Sequence, residues 1–369
     1  MAKGTKGGGL TTSVSKAIKS SKPTGEFNLE AFKAGKNLSS TNVKFKEDTW
    51  IPLSPAFQEV LQLPGILKGH VNMFRGHSDT GKTTAMLEAA VSCQKAGILP
   101  VLIITEMKWS WAHARQMGFE FKEVADETTG EVTGHEGFFI YVDRESLSSI
   151  EAVGAFITDL MDEQGKGNIP HELCFLWDSV GSIPCEKSIN SKGGNAQWNA
   201  ASLSEVFGNY VNQRITLSRK ESQKYTNTLV IVNKVWVRIA EGYGERPKLE
   251  NKGGNAMFSD ATLVFTFGGI SHAGTNKIVA TKNGKTVEFA KRVRASCDKN
   301  HHNGITSNGK VLATVHGFIM DDKADGGKDM KAYSAAHRSE WLSALGSDDF
   351  DVVEEADSND GDSNNYSEN

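Results

Sequence analysis

A short stretch bounded by two glycines has the residue types of a phosphate-binding loop. A mostly apolar run leads into Gly76, and Gly81, Lys82 and Thr83 complete the spacing G-x-x-x-x-G-K-[ST] ahead of a helix-forming segment. The glycines allow backbone N–H groups to wrap around a phosphate, and the helix adds the positive end of its dipole. We therefore expect this loop to bind a nucleotide. Its residues are Gly76, His77, Ser78, Asp79, Thr80, Gly81, Lys82, Thr83 and Thr84.

Four side chains have the types that phosphate chemistry needs. Lys82 would reach the terminal phosphates, and Thr83 would supply a hydroxyl ligand to Mg²⁺. Glu106 and Asp178 each follow an apolar, strand-like run. Open parallel sheets bind ligands at the carboxyl ends of their strands, which makes Glu106 a catalytic candidate and Asp178 a candidate Mg²⁺ ligand. Alone, Asp178 could equally be a turn residue that ends a strand, but its combination with Lys82 favours the metal ligand.

The elements that must position these residues alternate between strand and helix. Ser54 and Pro55 have the types of a helix start, and Pro64-Gly65 would end that helix before the loop strand. Alternation of this kind predicts an α/β fold with a mostly parallel, twisted sheet flanked by helices. Past residue 270 the strands are expected to be antiparallel. The main strand-like runs are 99–105, 138–142, 173–177, 228–232 and 263–267.

Two irregular segments, 184–200 and 236–254, interrupt the alternation and are predicted to be long loops. Their basic and aromatic residues fit a binding mode for single-stranded nucleic acid that combines phosphate contacts with base stacking. The alternative is that both are ordinary exposed loops whose charges only interact with solvent. Candidate contacts are Lys187, Lys192 and Trp198 in the first segment and Arg238 and Lys252 in the second.

Composition indicates a soluble globular chain with charged ends. The chain has 369 residues, 38% of them apolar, and no apolar run approaches the ~20 residues of a membrane span. Its four cysteines are too scattered for a metal pair and fit a reducing cytoplasm.

A lysine-rich start and an acidic end indicate either nucleic-acid binding and self-regulation or simply solvated termini. The expected regions are a mobile basic arm (1–46), an ATPase-like core (47–320), a short helical region (321–347) and a disordered acidic tail (348–369).

Together these residues resemble the RecA recombinase family, including its bacteriophage members, over roughly residues 50–303. Five motifs occur in the order found in that family. They are the phosphate loop, Ile103-Ile104-Thr105-Glu106 followed by Ala114-Arg115-Gln116-Met117-Gly118, Leu176-Trp177-Asp178-Ser179-Val180, Val230-Ile231-Val232-Asn233, and Gly253-Gly254-Asn255-Ala256. The resemblance implies a RecA-like ATPase core that uses ATP and Mg²⁺.

The resemblance also implies roles for individual residues at the nucleotide. Glu106 falls where the family orients and activates the attacking water. Asn233 and Lys234 fall at the γ-phosphate sensor, where Lys234 replaces the usual glutamine. Lys299, in a predicted polar loop at 298–303, would reach the γ-phosphate of the next subunit, and it is the one clear lysine of an expected pair.

Roles in DNA binding follow from the same resemblance. The two irregular segments would line a filament axis and hold DNA. Ile239 falls where the family inserts an apolar wedge between base triplets. Arg238, Gly253, Gly254 and Asn255 fall at positions that contact the DNA backbone.

The activity implied by the resemblance is that of a DNA-dependent ATPase that forms helical filaments on single-stranded DNA and pairs it with duplex DNA. Its setting would be a bacterial cytoplasm or that of a phage-infected host, with a single-strand-binding or loader protein as a further partner. One alternative is a hexameric DNA motor or helicase with the same core. Another is a non-hydrolysing, ATP-dependent scaffold, to which Lys234 and the single trans lysine would point.

Overall fold

The structure, a computed structural model, describes residues 28–35, 44–191, 195–239, 246–269, 276–282, 285–322, 328–340 and 351–356. The chain divides into two compact units, Met1–Lys44 and Phe45–Asn369. The described part of the first unit contains helix α1 (Leu29–Gly35), in which Asn28 accepts a hydrogen bond from the Ala31 N–H at 3.0 Å. The rest of the expected basic arm up to residue 43 lies outside the described residues.

The strands in the described part of the second unit are β1 (Trp50–Pro52), β2 (Gly65–Leu67), β3 (Val71–Gly76), β4 (Leu99–Ile104), β5 (Lys122–Ala125), β6 (Val132–Glu136), β7 (Ile140–Asp143), β8 (Leu173–Asp178), β9 (Thr228–Arg238), β10 (Lys248–Asn251), β11 (Leu263–Phe267), β12 (Asn276–Lys282), β13 (Lys285–Asn300), β14 (Asn308–Thr314), β15 (Gly317–Met320) and β16 (Asp351–Ala356). Twelve of them form one mixed sheet in the order β15-β14-β13-β11-β3-β9-β8-β4-β7, with β10 beside β9, β12 beside β13 and β16 beside β12. Strands β1 and β2, and β5 and β6, form two small antiparallel pairs.

Strand direction divides the sheet into two parts. The consecutive neighbours β11, β3, β9, β8, β4 and β7 are parallel. Strands β12 to β16 pair in antiparallel fashion, as does β10 with β9. The predicted α/β class, with a mostly parallel sheet and antiparallel strands towards the C-terminus, is therefore confirmed.

Helices flank this sheet, and none within the described ranges is long and apolar enough to cross a membrane. The predicted helix start at Ser54 and Pro55 is confirmed, because the Ser54 hydroxyl accepts a hydrogen bond from the Phe57 N–H and Pro55 occupies the first helical position. The helices are α2 (Pro55–Leu61), α3 (Lys82–Lys95), α4 (Trp111–Gln116), α5 (Ile150–Gly165), α6 (Glu186–Asn190), α7 (Ala196–Leu203), α8 (Asn212–Leu217), α9 (Ala256–Asp260) and α10 (Lys328–Ala336), with a 3-10 turn at Val180–Ser182 and a π-helix at Ser204–Val211.

Both faces of the central strands are buried, which explains their nearly continuous apolar sequences. Successive side chains of a strand point to opposite faces. On β3, Phe74 packs into the core layer that contains Met86 of α3. Val71 and Met73 of the same strand pack into the second layer, with Ile157 of α5. The two layers hold the carboxyl ends of the parallel strands at a common edge.

The prediction that the two irregular segments are long loops is wrong for their described parts. The first contains α6 and α7, and the Asn195 side chain caps α7 by accepting from the Gln197 N–H at 2.8 Å. In the second, β9 continues past the central sheet and pairs with β10 from Val235 to Arg238. Gly, Ser and Lys residues at the ends of these elements give the segments the composition of a loop.

Two C-terminal expectations also differ from the structure. Asp298, Lys299 and Asn300 are the end of β13 rather than a loop, because polar partners on neighbouring elements hold their side chains in the strand. Helix α10 lies within the expected helical region, 321–347, of which residues 323–327 and 341–347 are outside the described ranges. Within the expected disordered tail, β16 pairs with β12.

Phe57 provides a test of the first core layer. Its ring lies 5.4 to 6.4 Å, centroid to centroid, from four other phenylalanine rings on β3, β11 and β15, and it is fully buried. Replacing Phe57 with Ala should lower the free energy of unfolding by about 3–5 kcal/mol, because a buried ring is lost and a cavity remains. Denaturant unfolding measures this difference. Leu217→Ala, at a residue that is 45% exposed, is the matched control and should change stability much less. Equal losses in both variants would contradict the packing described here.

Candidate active site

The predicted catalytic residues come together at one edge of the sheet. Strands β3, β9, β8 and β4 are parallel neighbours, so their carboxyl ends lie side by side. The glycine loop follows β3, Glu106 follows β4, and Asp178 ends β8. Asn233 and Lys234 lie on β9 where it passes this edge. Ligands of open parallel sheets bind at such an edge.

The loop between β3 and α3 has the tight backbone that its glycines predict. A Cβ atom on Gly76 would lie 2.2 Å from the Phe267 carbonyl oxygen, so a larger residue would displace the neighbouring strand. Gly81 has φ +89°, a left-handed conformation that favours glycine, and helix α3 begins at the next residue. The Thr80 hydroxyl donates to the His77 carbonyl oxygen at 2.8 Å and closes the loop on itself.

Lys82 is buried inside this loop. Its ammonium donates to the His77 carbonyl oxygen. Burial lowers the pKa of Lys82 to about 8, although the negative charges of Asp178 and Glu106 act in the opposite direction. A partly desolvated ammonium at a helix N-terminus is a favourable site for an anion. Of the other loop residues, His77 and Thr84 are buried, and Ser78 and Asp79 are exposed.

Thr83 and Asp178 form a pair of oxygen ligands next to Lys82. The Thr83 hydroxyl donates to Asp178 Oδ2 at 3.0 Å. Burial raises the pKa of Asp178 to about 6, with the charge of Glu106 adding to the rise and the Thr83 hydrogen bond opposing it. A buried carboxylate beside a hydroxyl is a donor set suited to a hard divalent cation. These two residues therefore fit Mg²⁺.

Glu106 is the most heavily paired carboxylate of the site. Its Oε1 lies 2.6 Å from Lys234 Nζ and 3.4 Å from Lys108 Nζ, and its Oε2 accepts from the Ser179 hydroxyl at 3.2 Å. Burial alone would raise the pKa of Glu106, but the hydrogen bond and charge of Lys234 outweigh it, so the pKa lies below the usual value. The carboxylate is therefore ionised and neutralised by Lys234.

Asn233 is buried on β9 with an incomplete set of hydrogen bonds. It is 1% exposed, and neither polar atom of its amide has a protein partner. A buried polar atom without a partner costs about 1–3 kcal/mol, which an internal water can recover. Asn233 directly precedes Lys234 on the strand, so its side chain points to the opposite face of the sheet from Lys234.

Two adjoining cavities border the loop and share Asp79, Lys82 and Thr83. The smaller, about 100 Å³, is lined by Glu106, Asp178 and Lys234. The larger, about 340 Å³, extends towards the antiparallel strands, which is large enough for a small-molecule ligand. Sequence reasoning missed the wall of the larger cavity, because no motif marks it. Its additional lining residues are His113, Glu288, Phe289, Ala290, Lys291, Ala313, Thr314 and Val315.

The candidate DNA contacts of the first segment lie on helices. Lys187 of α6 is exposed, and its ammonium lies 4.6 Å from the ring centroid of Trp198 on α7. This contact holds a basic and an aromatic group together at the surface. Lys192 lies outside the described residues.

The second segment forms a hairpin with an exposed end. Arg238 Nη1 lies 3.3 Å from Glu250 Oε1, and Ile239, at the tip of β9, is 69% exposed. Trp236, the first residue of this segment, is 54% exposed. At the base of the hairpin, Lys252 is exposed. Gly253 and Gly254 both have positive φ, and the Asn255 side chain accepts from Asn251 before α9.

Within the chain, the Lys299 side chain contacts the end of α9 rather than the other candidate active-site residues. It lies on β13, and its ammonium donates to the backbone oxygens of Phe258 and Ser259, at 2.9 and 2.6 Å, at the end of α9. Burial lowers the pKa of Lys299, and the charge of Asp260 opposes the shift. A contact between Lys299 and a neighbouring subunit would have to replace these two hydrogen bonds.

Replacing Lys234 with Met tests the pairing with Glu106. The pair should contribute about 1 kcal/mol at neutral pH, a value reduced for partial exposure. Because the folded-state pKa of Glu106 is lowered, this stability is present above the usual carboxyl pKa and is lost as pH falls through the folded-state value. The difference in unfolding free energy between wild type and variant should therefore be largest near pH 7 and shrink in acid. Lys166→Met, which breaks the exposed pair with Glu163, should show little difference. A pH-independent difference for Lys234→Met would contradict the pairing.

No protein-family model matches this chain, and no curated protein matches it significantly. What the chain does is therefore inferred from its own residues and their geometry.

Proposed function

We propose that this protein is an ATP-dependent recombinase of the RecA type, which binds single-stranded DNA and hydrolyses ATP. The observation that carries the proposal is the arrangement of Lys82, Thr83, Asp178, Glu106 and Lys234 around one small cavity at the ends of four parallel strands. These residues supply an anion site, a pair of metal ligands and a carboxylate that can act on water. The five motifs of the sequence support the RecA-like form of this α/β fold.

The chain's own groups would bind the phosphates from two sides. The backbone N–H groups of the loop and the N-terminus of α3 face the anion, and Lys82 exchanges the His77 carbonyl oxygen for a phosphate oxygen. Thr83 and Asp178 would hold Mg²⁺, which, when bound, neutralises charge on the terminal phosphates. The nucleoside would occupy the larger cavity, beside His113 and the ends of the antiparallel strands.

Glu106 is the group proposed to orient and activate the attacking water. Its pairing with Lys234 weakens it as a base, because a carboxylate with a lowered pKa has less affinity for a proton. A terminal phosphate would compete with Glu106 for the Lys234 ammonium. Transfer of Lys234 to that phosphate would leave Glu106 with Ser179 and Lys108 as partners and make it more basic. Hydrolysis would then require that the phosphate be in place.

Strand β9 connects this site to the proposed DNA-binding hairpin. Lys234 and Trp236 lie two residues apart on it, and Arg238 and Ile239 follow at its exposed end. An exposed indole and an exposed aliphatic side chain beside a guanidinium can stack on and intercalate between bases of single-stranded DNA while contacting its phosphates. Lys187 and Trp198 offer the same combination on α6 and α7. Filament formation, pairing with duplex DNA, loading by another protein and a bacterial or phage-infected host cytoplasm belong to the same proposal.

Glu106→Gln is the variant that tests hydrolysis. It keeps the shape of the side chain and removes the proton acceptor, so ATP turnover with single-stranded DNA should fall by about 10²–10⁴-fold while ATP binding persists. Lys82→Ala is the control for binding and should lose ATP affinity, because the buried ammonium is removed. Turnover is measured by phosphate release with and without single-stranded DNA. Normal turnover in Glu106→Gln would exclude Glu106 from the mechanism, and a wild type without turnover would favour the scaffold alternative.

The hairpin prediction compares two aromatic residues of equal exposure. Trp236→Ala should weaken single-stranded DNA binding about 10-fold, because base stacking on an aromatic ring contributes about 1–3 kcal/mol. Tyr210, on the π-helix, is also 54% exposed, so Tyr210→Ala is the matched control and should bind normally. Fluorescence anisotropy with a labelled oligonucleotide measures both affinities.

Salt dependence separates stacking from charge in the same assay. Trp236→Ala should leave the slope of log affinity against log salt unchanged, whereas Arg238→Ala should reduce it by about one counterion. Equal binding by wild type and Trp236→Ala at every salt concentration would support the alternative of an ordinary exposed hairpin. Electron microscopy with ATP and single-stranded DNA distinguishes helical filaments from rings.

A further inference from the structure

A separate cluster of ionisable side chains connects the turn between β14 and β15 to the residues after α10. His316 lies in the turn, and His337 and Glu340 lie just past the helix. His316 Nε2 is 3.3 Å from Glu340 Oε1, and His337 Nδ1 is 2.9 Å from the same oxygen. One ligand atom from each residue lies within 4.8 Å of the other two. We call these three residues the histidine cluster.

A hydrogen bond to Tyr333 occupies one nitrogen of His316. His316 Nδ1 lies 2.8 Å from the Tyr333 hydroxyl oxygen, and beside them the Thr314 hydroxyl donates to the Gly317 carbonyl oxygen at 2.7 Å. The other ring nitrogen of His316, Nε2, is the one nearest Glu340.

This arrangement brings two imidazole nitrogens close to one carboxylate oxygen. His316 Nε2 and His337 Nδ1 lie 3.3 and 2.9 Å from Glu340 Oε1. Two imidazoles and one carboxylate are a recurrent ligand set for Zn²⁺, whose tetrahedral ligand atoms lie roughly 3.3 Å apart at bond lengths of about 2.0–2.1 Å. The hydrogen bond between His316 Nδ1 and Tyr333 is the kind of outer contact that orients a metal-binding histidine.

We propose that His316, His337 and Glu340 bind a divalent transition-metal ion of the Zn²⁺ class, with solvent completing the coordination. Nitrogen ligands favour such an ion over Mg²⁺, which prefers oxygen. The two rings stack with centroids 3.8 Å apart and planes at 21°, so their nitrogens now point side by side. Rotation of the His337 side chain, which is 27% exposed, brings its nitrogen towards the ion.

The bound ion would join two parts of the fold that are distant in sequence. The β14–β15 turn and α10 otherwise meet through a small core cluster that includes Leu312, Met330 and Tyr333. Thr314, next to the cluster, also lines the larger cavity. The ion would therefore stabilise one wall of that cavity, and it would do so whether or not the cavity binds a nucleotide.

The test uses the full-length protein, with Zn²⁺ and Co²⁺ as probes. Equilibrium dialysis should show one Zn²⁺ bound per chain, and Co²⁺ should produce the visible absorption bands of a tetrahedral site. His337→Asn and Glu340→Gln should each lower Zn²⁺ affinity at least about 100-fold, and Tyr333→Phe, which removes an outer contact, about 10–100-fold. His171→Asn, at a histidine outside the cluster, is the control and should bind as wild type does.

Thermal unfolding adds a second readout. Zn²⁺ should raise the melting temperature of wild type and of His171→Asn, but not that of His337→Asn or Glu340→Gln, because only a folded site binds the ion. Circular dichroism confirms that each variant is folded. Absence of Zn²⁺ binding by wild type, or equal binding by wild type and His337→Asn, would overturn the proposal. The three side chains would then be held together only by hydrogen bonds and ion pairs.

Discussion

Three ammonium groups and three carboxylates line the small cavity at the ends of the parallel strands, and their charges must balance. They are Lys82, Lys108, Lys234, Asp79, Glu106 and Asp178. Burial shifts the pKa of Lys82 down and that of Asp178 up, each towards its neutral form. Transfer of an unpaired ion from water into protein costs several kcal/mol, so each group depends on the others to remain charged. The sheet meets this requirement because the carboxyl ends of four parallel strands bring the six groups around one cavity.

Under the proposed function, this charge balance affects how nucleotide and Mg²⁺ bind to the cavity. The six groups sum to no net charge, so a phosphate chain alone would add uncompensated negative charge, and a divalent cation alone would add uncompensated positive charge. Bound together, the cation offsets part of the charge of the phosphate chain. Nucleotide and Mg²⁺ are therefore expected to bind with positive cooperativity.

The strand ends could be predicted from sequence, but contacts between distant segments could not. Glu106 and Asp178 follow apolar runs that only a buried strand explains, and the loop spacing locates Lys82. The pairing of Lys234 with Glu106 depends on which strands are neighbours, which no local pattern encodes. For the same reason, no sequence pattern indicated that His113 lines the larger cavity.

Composition is a poor guide to structure where polar residues have partners in the fold. Asp298 and Lys299 resemble a loop in sequence, yet Arg75 and the end of α9 hold them on β13. The histidine cluster was missed because His316 and His337 belong to different elements and show no ligand spacing. In contrast, the adjacent His301 and His302 are conspicuous in sequence, and the only cluster of potential metal ligands in the described ranges is the one at His316.

The hairpin offers a physical route between the proposed nucleotide and DNA sites. Side chains two residues apart on a strand share a face, so Lys234, Trp236 and Arg238 lie along one side of β9. The Lys252 N–H donates to the Lys234 carbonyl oxygen at 2.9 Å, which attaches the second arm of the hairpin at the same point. Coupling between sites requires an element with two arrangements that both sites bias. Lys234 has two competing partners under the proposed function, Glu106 or a terminal phosphate, and the backbone that carries it is shared by both arms. A change of partner at Lys234 would thus act directly on the strand that presents Trp236, without passing through the rest of the core.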